Sequence, residues 1–323
     1  MLIWSFRRLA QATVVVWLVT LIVFAGLHLV GNPVDVLISP DADQVMRARV
    51  MREFGFDQPL WRQYLNFVAN AVRGNLGNSF VYNEPALRLI VERMPATMEL
   101  AVAALLLSLV IGIPLGLYAG LYPDSPISRT AMIGSILGFS LPSFWVGLML
   151  IMVFAVQLGW LPSTGRGPTV QVFGVGWSFL TWEGLRHMAL PAINLSLANI
   201  ALVLRLTRAG VRENLRMDYV KFARAKGLRP RRILLVHVFK NILVPIVTIV
   251  GLEFGNTIAF AVVTESVFSW PGMGKLIIDS IGVLDRPVIV AYLMMIVILF
   301  ILINLIVDLL YMYIDPRVQI DHR

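Results

Sequence analysis

The chain has 323 residues, 58% of them hydrophobic and 14% charged, with a formal net charge of +8. No single soluble domain buries so large an apolar share, so an ordinary soluble enzyme or binding module is excluded. Cysteine is absent, which also excludes disulfides, cysteine-ligated zinc, iron–sulfur clusters and thiol nucleophiles. The composition is that of an all-α integral membrane protein. Its Lys and Arg residues lie between apolar runs, where they set topology rather than bind nucleic acid.

In chain order, residues 1–8 are a short basic start and residues 9–30 a first apolar run. The run is long enough to span a bilayer, no small-x-small cleavage site ends it, and further spans follow, so it reads as a transmembrane helix rather than a signal peptide. Together residues 1–30 form one segment. Residues 31–95 form an outer insertion of mixed charge, with helix-like pieces at 42–53 and 60–72. Gly74-Asn75-Leu76-Gly77-Asn78 makes a turn, and 87–94 is predicted as an amphipathic helix lying at the interface.

The core, residues 96–311, holds five further spans. The second is predicted at 97–122, where Gly112, Gly116 and Gly120 recur every four residues. They make a small-residue stripe that lets another helix approach closely, and Pro114 kinks the same span. The third, at 130–158, contains Ser140-Leu141-Pro142-Ser143-Phe144. A proline between serines frees backbone groups that need internal partners, which places Ser140, Pro142 and Phe144 in a buried or cavity-lining position. A plain packing kink is the other reading.

Residues 159–187 are a second outer loop rich in Gly, Pro and Trp. The fourth span, 188–210, carries Asn194, Ser196 and Asn199 as candidate interhelical glue, with Arg205 and Arg208 snorkelling near its inner end. The fifth, 242–264, carries Glu253 and Asn256 at depth and Gly251 and Gly255 four apart. A loop at 265–287 leads to the sixth span, 288–311, and residues 312–323 form a tail.

Between the fourth and fifth spans lies a loop, 212–240, with nine Lys and Arg residues. An N-terminus on the inside puts fourteen Lys and Arg residues in inner segments against four in the two short outer loops. Both termini and the basic loop are therefore predicted to be cytoplasmic. Within the loop, Asp218 is placed to cap a short helix. Tyr219, Phe222 and Ala223 are predicted to share one face, with Lys221 and Arg224 opposite. Gly227 stops this helix and Pro230 starts the next. Such a knobbed helix at a membrane surface suits docking into a groove of a soluble partner. The simpler alternative is a basic loop that fixes topology and touches anionic lipid.

No G-x-x-x-x-G-K-[ST], G-x-S-x-G or H-E-x-x-H motif occurs, and the four histidines do not pair at metal spacing. Glu253 and Asp308 are the ionisable residues at depth, and Glu253 either lines a pathway or pairs with a neighbouring helix. A self-sufficient proton-coupled carrier needs a denser relay and inverted repeats. Six helices without them look like half of a pore driven from elsewhere.

Motifs along the chain resemble the membrane permease subunits of bacterial ABC importers for dipeptides and oligopeptides, more closely the first of the two permeases in such systems. They are Gly31-Asn32-Pro33, Phe54-Gly55-Phe56-Asp57-Gln58-Pro59 and Arg93-Met94-Pro95-Ala96-Thr97-Met98-Glu99-Leu100. Further on come Ser140-Leu141-Pro142-Ser143-Phe144, Arg205-Leu206-Thr207-Arg208, residues 218–227, His237-Val238-Phe239-Lys240-Asn241, residues 265–274, and residues 304–311 with Asp315-Pro316-Arg317. The resemblance implies six transmembrane helices with an outer insertion between the first and second, in a bacterial inner membrane. It implies a second homologous permease, two ATP-binding subunits that carry ATP and Mg, and an extracytoplasmic solute-binding protein as partners. No cofactor and no enzymatic activity are expected on this chain itself.

The resemblance also makes Asp218, Tyr219, Lys221, Phe222, Ala223, Arg224, Ala225, Lys226 and Gly227 an ATPase-coupling helix. Lys221-Phe222-Ala223 stands where importers generally have Glu-Ala-Ala and the peptide branch often has Arg-Thr-Ala, so Phe222 departs from both. Ser140, Pro142, Phe144, Asn199, Glu253 and Asn256 are the candidate pathway or gate. The same architecture serves glutathione, nickel complexes or oligosaccharides in relatives. A stand-alone secondary transporter is the alternative of a different class, and a membrane enzyme or scaffold is a third.

Overall fold

The computed structural model describes residues 2–29 and 57–314. Gly31-Asn32-Pro33, the helix-like piece at 42–53, Phe54-Gly55-Phe56 and Asp315-Pro316-Arg317 lie outside the described residues.

The order of elements is α1 (Leu2–Leu29), α2 (Leu60–Val72), α3 (Ala86–Leu121), α4 (Pro126–Ser140) and α5 (Ser143–Leu150), which continues as a π-helical segment, Ile151–Gln157. A small antiparallel hairpin follows, β1 (Val170–Val172) and β2 (Val175–Trp177). Then come α6 (Trp182–Asn214), α7 (Asp218–Ala225), a one-turn helix Pro230–Arg232, a π-helical segment Ile233–Val238, α8 (Phe239–Val267), α9 (Met273–Gly282) and α10 (Arg286–Ile314).

Among the described residues, four stretches are long and apolar enough to cross a membrane: Ala86–Leu121, Trp182–Asn214, Pro230–Val267 and Arg286–Leu309. α4 and α5 with its π-helical continuation pass the same test only as a pair, and the two are bent from each other by 111°. The apolar part of α1, Ala10–Gly26, is shorter than the roughly 20 residues a straight crossing needs. The third predicted span is thus two helices, not one kinked helix. Pro142 forces Leu141 into extended backbone, φ −80° and ψ 137°, and so ends α4.

Residues 87–94 are not a separate interfacial helix. They are the first turns of α3, which runs for 36 residues, about 54 Å at 1.5 Å per residue. The apolar face was real, but Ala86, Leu89 and Ile90 are buried in protein, and Pro95 is accommodated inside the helix.

The chain forms two compact units. The first comprises Met1–Met94 and Leu276–Ile301. In it, Val23 of α1 packs with Val290 and Met294 of α10, flanked by Phe67 of α2 and Leu76. The Thr20 hydroxyl meets the Tyr64 hydroxyl at 2.8 Å, and the Phe24 and Tyr64 rings cross edge to face. The predicted turn at 74–78 is present, with Gly74 and Gly77 at φ +77° and +89°. Beyond it the Ser79 hydroxyl and the Phe80 N–H (3.2 Å) donate to the buried carboxylate of Asp285.

The second unit, Pro95–Lys275 and Leu302–Arg323, contains the glycine stripe, which receives another helix closely as predicted, and that helix is α6. A Cβ on Gly112 would sit 2.9 Å from Val203, on Gly116 2.5 Å from Thr207, and on Gly120 2.6 Å from Val211. Three glycines one turn apart therefore receive one ridge of β-branched side chains, and the two backbones close on each other. Gly251 receives Val307 of α10 in the same way. Asn194 and Asn199 of α6 donate to Thr264 at 3.0 Å and Thr257 at 2.8 Å on α8. Ser196 is not interhelical glue: its hydroxyl returns to the Ile193 carbonyl of its own helix, an outlet always within reach of a helical serine.

Candidate functional site

The basic loop folds into α7, eight residues long. Its buried face is Val220 and Ala223, with Tyr219 partly covered. These pack on Val211 of α6 and on Ile233, Val238 and Ile242 at the start of the α8 rod. The Tyr219 hydroxyl donates to Asn214 Oδ1 at 2.6 Å, and Asn214 Nδ2 donates to the Gly210 carbonyl at 2.9 Å. The end of α6 and the start of α7 are thereby bound into one piece.

Gly227 ends the helix as predicted. It takes φ +71°, its N–H donates to the Arg224 carbonyl at 2.9 Å, and the Leu228 N–H donates to the Ala223 carbonyl at 3.2 Å. This pair of bonds is the Schellman arrangement, which satisfies carbonyls that a helix end otherwise leaves open. Pro230 begins the next helical turn.

Two expectations for α7 are corrected. Asp218 is the first helical residue and not the cap. Met217 occupies the cap position with extended backbone, and no side chain caps there. Asp218 instead accepts from Lys221 Nζ at 2.8 Å, and that bond holds its carboxyl below the usual carboxylate range. Phe222 does not join Tyr219 and Ala223 on the buried face. The buried arc centres between Val220 and Ala223, so at about 100° per residue Phe222 turns outward. It is 61% exposed, with Lys226 Nζ 4.5 Å over its ring. Lys221, Arg224, Ala225 and Lys226 are exposed too. Beside α7, Arg212, Glu213, Arg216 and Met217 border an open hollow of about 560 Å³.

The candidate pathway residues separate into two places. Ser140, Pro142 and Phe144 sit at the elbow between α4 and α5. They are exposed there, not buried, and everything from Phe139 to Trp145 faces outward from this chain. Asn199, Glu253 and Asn256 form a second group, where α6 meets α8. Asn256 Nδ2 lies 3.4 Å from Glu253 Oε1, and Thr257, the partner of Asn199, donates to the Glu253 carbonyl at 2.7 Å. Glu253 and Asn199 border a void with room for about one water, along with Ser108, Leu105 and Val250.

Arg93-Met94-Pro95-Ala96-Thr97-Met98-Glu99-Leu100 and residues 265–274 carry the resemblance to the family but show no role in the sequence alone. The structure joins residues 96–99 and 265–274 in the second unit, at the end of its helices opposite the basic loop. Glu99 is buried and accepts five bonds. Arg166 Nε and Nη2 reach one oxygen at 2.9 and 2.6 Å; the Ser178 N–H, the Ser178 hydroxyl and the Phe179 N–H reach the other at 2.6, 2.8 and 2.7 Å. Glu265 is fully buried and accepts from the Thr97 hydroxyl at 2.6 Å and the Lys275 N–H at 2.9 Å. Trp270, also fully buried, donates from its indole to the Ala96 carbonyl at 2.9 Å. The lack of a Cβ on Gly272 lets the chain pass directly against the Glu265 carboxylate. The available signal was a carboxylate two residues from a threonine at the head of an apolar run, together with Trp-Pro-Gly-x-Gly.

Comparison with known proteins agrees with this architecture. Residues 112–320 match the family described as binding-protein-dependent transport system inner membrane component, and residues 1–101 match its N-terminal counterpart. The di/tripeptide transport system permease protein DppB of Pseudomonas aeruginosa (strain UCBPP-PA14) is 39% identical over 327 residues, 97% of each chain. The glutathione transport system permease protein GsiC of Escherichia coli (strain K12) is 34% identical over 320 residues, 99% of each chain. Among solved structures, the MetNI methionine ABC transporter in inward facing conformations shares the fold, with a TM-score of 0.54 at 17% identity over 72% of this chain and 99% of that one. The chain therefore belongs to the binding-protein-dependent transport system inner membrane components: it is a membrane-embedded permease subunit of the ABC importer type and not a catalytic enzyme.

Proposed function

We propose that this permease forms half of the translocation pathway of an ATP-driven importer for dipeptides and oligopeptides. The observation that carries the reading is α7. It is short, fastened to α6 through Tyr219 and Asn214, terminated rigidly at Gly227, and it presents Lys221, Phe222 and Arg224 to solvent. A helix so fastened transmits displacement as a lever, because it cannot yield before α6 and the α8 rod do. In this reading its exposed face sits on an ATP-binding subunit, and ATP and Mg are held by two such subunits. The basic loop 212–240 and both termini are cytoplasmic, the 31–95 insertion and the 159–187 loop are extracytoplasmic, and a solute-binding protein docks on the latter side. A second homologous permease covers the exposed elbow at 139–145, where Ser140, Pro142 and Phe144 line the gate.

Alternation between inward- and outward-facing states needs a bundle with two packings, biased by ATP on one side and loaded binding protein on the other. The peptide cargo is supported by relatives named for di- and tripeptides at 35–39% identity over nearly their whole length. Glutathione, itself a peptide, is the second reading, supported by relatives named for it at 34–35%. The test is reconstitution of the chain with its second permease, ATP-binding subunits and binding protein in proteoliposomes, followed by uptake of labelled dipeptides and glutathione. ATP-dependent uptake is expected. Ion-coupled uptake by this chain alone would overturn the reading in favour of a secondary transporter.

A further inference from the structure

The inner half of α6 carries Arg205, Arg208 and Arg212, spaced i, i+3, i+7 and therefore on one face. The depth of Arg205 follows from the glycine stripe. Gly112 faces Val203 and Gly116 faces Thr207, so Arg205 is level with Pro114 of α3. Residues 101–121 of α3 contain no charged side chain. Leu121 ends that run seven residues further on, about 10 Å along the axis. Arg205 thus lies inside the apolar layer, Arg212 at its edge, and Arg216 beyond it beside the open hollow of about 560 Å³.

A guanidinium at that depth is costly without a counter-charge. Arg205 Nε donates to the Ala201 carbonyl at 3.2 Å, and its guanidinium stands 5.1 Å over the Phe139 ring. Arg208 keeps a buried Nε with no hydrogen-bond partner. No carboxylate among the described residues pairs with either arginine. Phe139 is 62% exposed and sits at the elbow between α4 and α5, on a face this chain leaves uncovered. The stack leaves the planar guanidinium with donors directed to its edges, the geometry that takes a carboxylate. A lipid phosphate sits at the apolar boundary, level with Arg212 and too shallow for Arg205.

We propose that Arg205, seated on Phe139 at the elbow of the broken span, is a binding station for the carboxylate of the cargo as it crosses, with Arg208 and Arg212 as the next steps inward. The proposal rests on the reading of this chain as a peptide permease. It concerns the transport step and not selection by the binding protein.

The test uses the complete reconstituted complex and two probes, alanylalanine and alanylalanine amide, each at a concentration that saturates the binding protein. The readout is the ratio of acid to amide uptake. Arg205→Gln is expected to lower that ratio at least fivefold, and Arg205→Lys to retain more than half of it. Should Arg205→Gln fail to assemble, Phe139→Leu keeps the apolar bulk, removes the stack, and is expected to lower the ratio about twofold. An unchanged ratio overturns the proposal, including the case where both probes slow equally because a carboxylate of the second permease neutralises Arg205. Uptake of neither probe by the unaltered complex overturns the peptide reading itself, a separate outcome.

Discussion

Single residues decide two features of this permease. At Gly116 the limit is steric: a Cβ would meet Thr207 Cβ at 2.5 Å and the Leu204 carbonyl at 2.7 Å, and neither can move without parting two helices. Gly116→Val is expected to destabilise the protein by about 1–3 kcal/mol, as overpacking of tight interfaces does. Thermal unfolding in detergent measures it, and an unchanged midpoint would show that the helices are free to separate. At Gly227 the limit is conformational. Nothing lies within 4 Å of a Cβ there, but φ is +71°, which costs an L-residue about 1–2 kcal/mol and a β-branched one more. Gly227→Val is expected to leave ATP hydrolysis running while uptake per ATP falls several-fold. Gly227→Asn, which tolerates a left-handed backbone, largely keeps the coupling. Equal coupling ratios in the two variants would argue against a lever ending at Gly227.

At the scale of elements, the clasp around Glu99 and the elbow between α4 and α5 use opposite means. The clasp is stiff because Glu99 gathers two N–H groups of Arg166 with three donors from Ser178 and Phe179 on one buried carboxylate. Glu99→Leu leaves the largely buried Arg166 guanidinium without its partner, a loss of about 3–5 kcal/mol for a broken buried pair. That should release the segment between Gly159 and Thr181. Limited proteolysis there is expected to quicken at least tenfold, with Glu99→Gln intermediate, and unaltered cleavage would mean the loop is held by other contacts. The elbow instead leaves Phe139 to Trp145 uncovered. Because the chain has no native cysteine, Ser140→Cys gives a single reporter. In the assembled complex its labelling by a water-soluble maleimide is expected to change at least fivefold between ATP-bound and nucleotide-free states. Identical labelling would place the elbow outside the moving gate.

At the scale of the whole molecule, much was legible in the sequence because a bilayer allows few solutions. Uninterrupted apolar length marked the spans, since every backbone polar group must be satisfied within a helix there. Four-residue glycine spacing marked the face of α3 that another helix approaches, and Gly227 followed by Pro230 located the end of α7 and the start of the next turn, because both depend on local geometry alone. What failed depended on neighbours. Phe222 turned outward because the packing of α7 on Val211 and Ile233 chose Val220 and Ala223 as the buried pair. Residues 87–94 merged into α3 because their apolar face found protein rather than an interface. The third span broke completely at Pro142, although the same proline chemistry at Pro114 and Pro191 leaves α3 and α6 continuous. Glu99 and Glu265 gained their roles from partners 67 to 168 residues distant, Arg166 and Thr97, which no local spacing reveals. The sequence by itself determined the class of protein, most of its membrane crossings and the stops and starts around α7, because these follow from hydropathy and backbone freedom. Only the tertiary structure decided which faces are buried, which carboxylates are clasped and which arginine stands without a counter-charge among the described residues, because those depend on what the fold brings alongside.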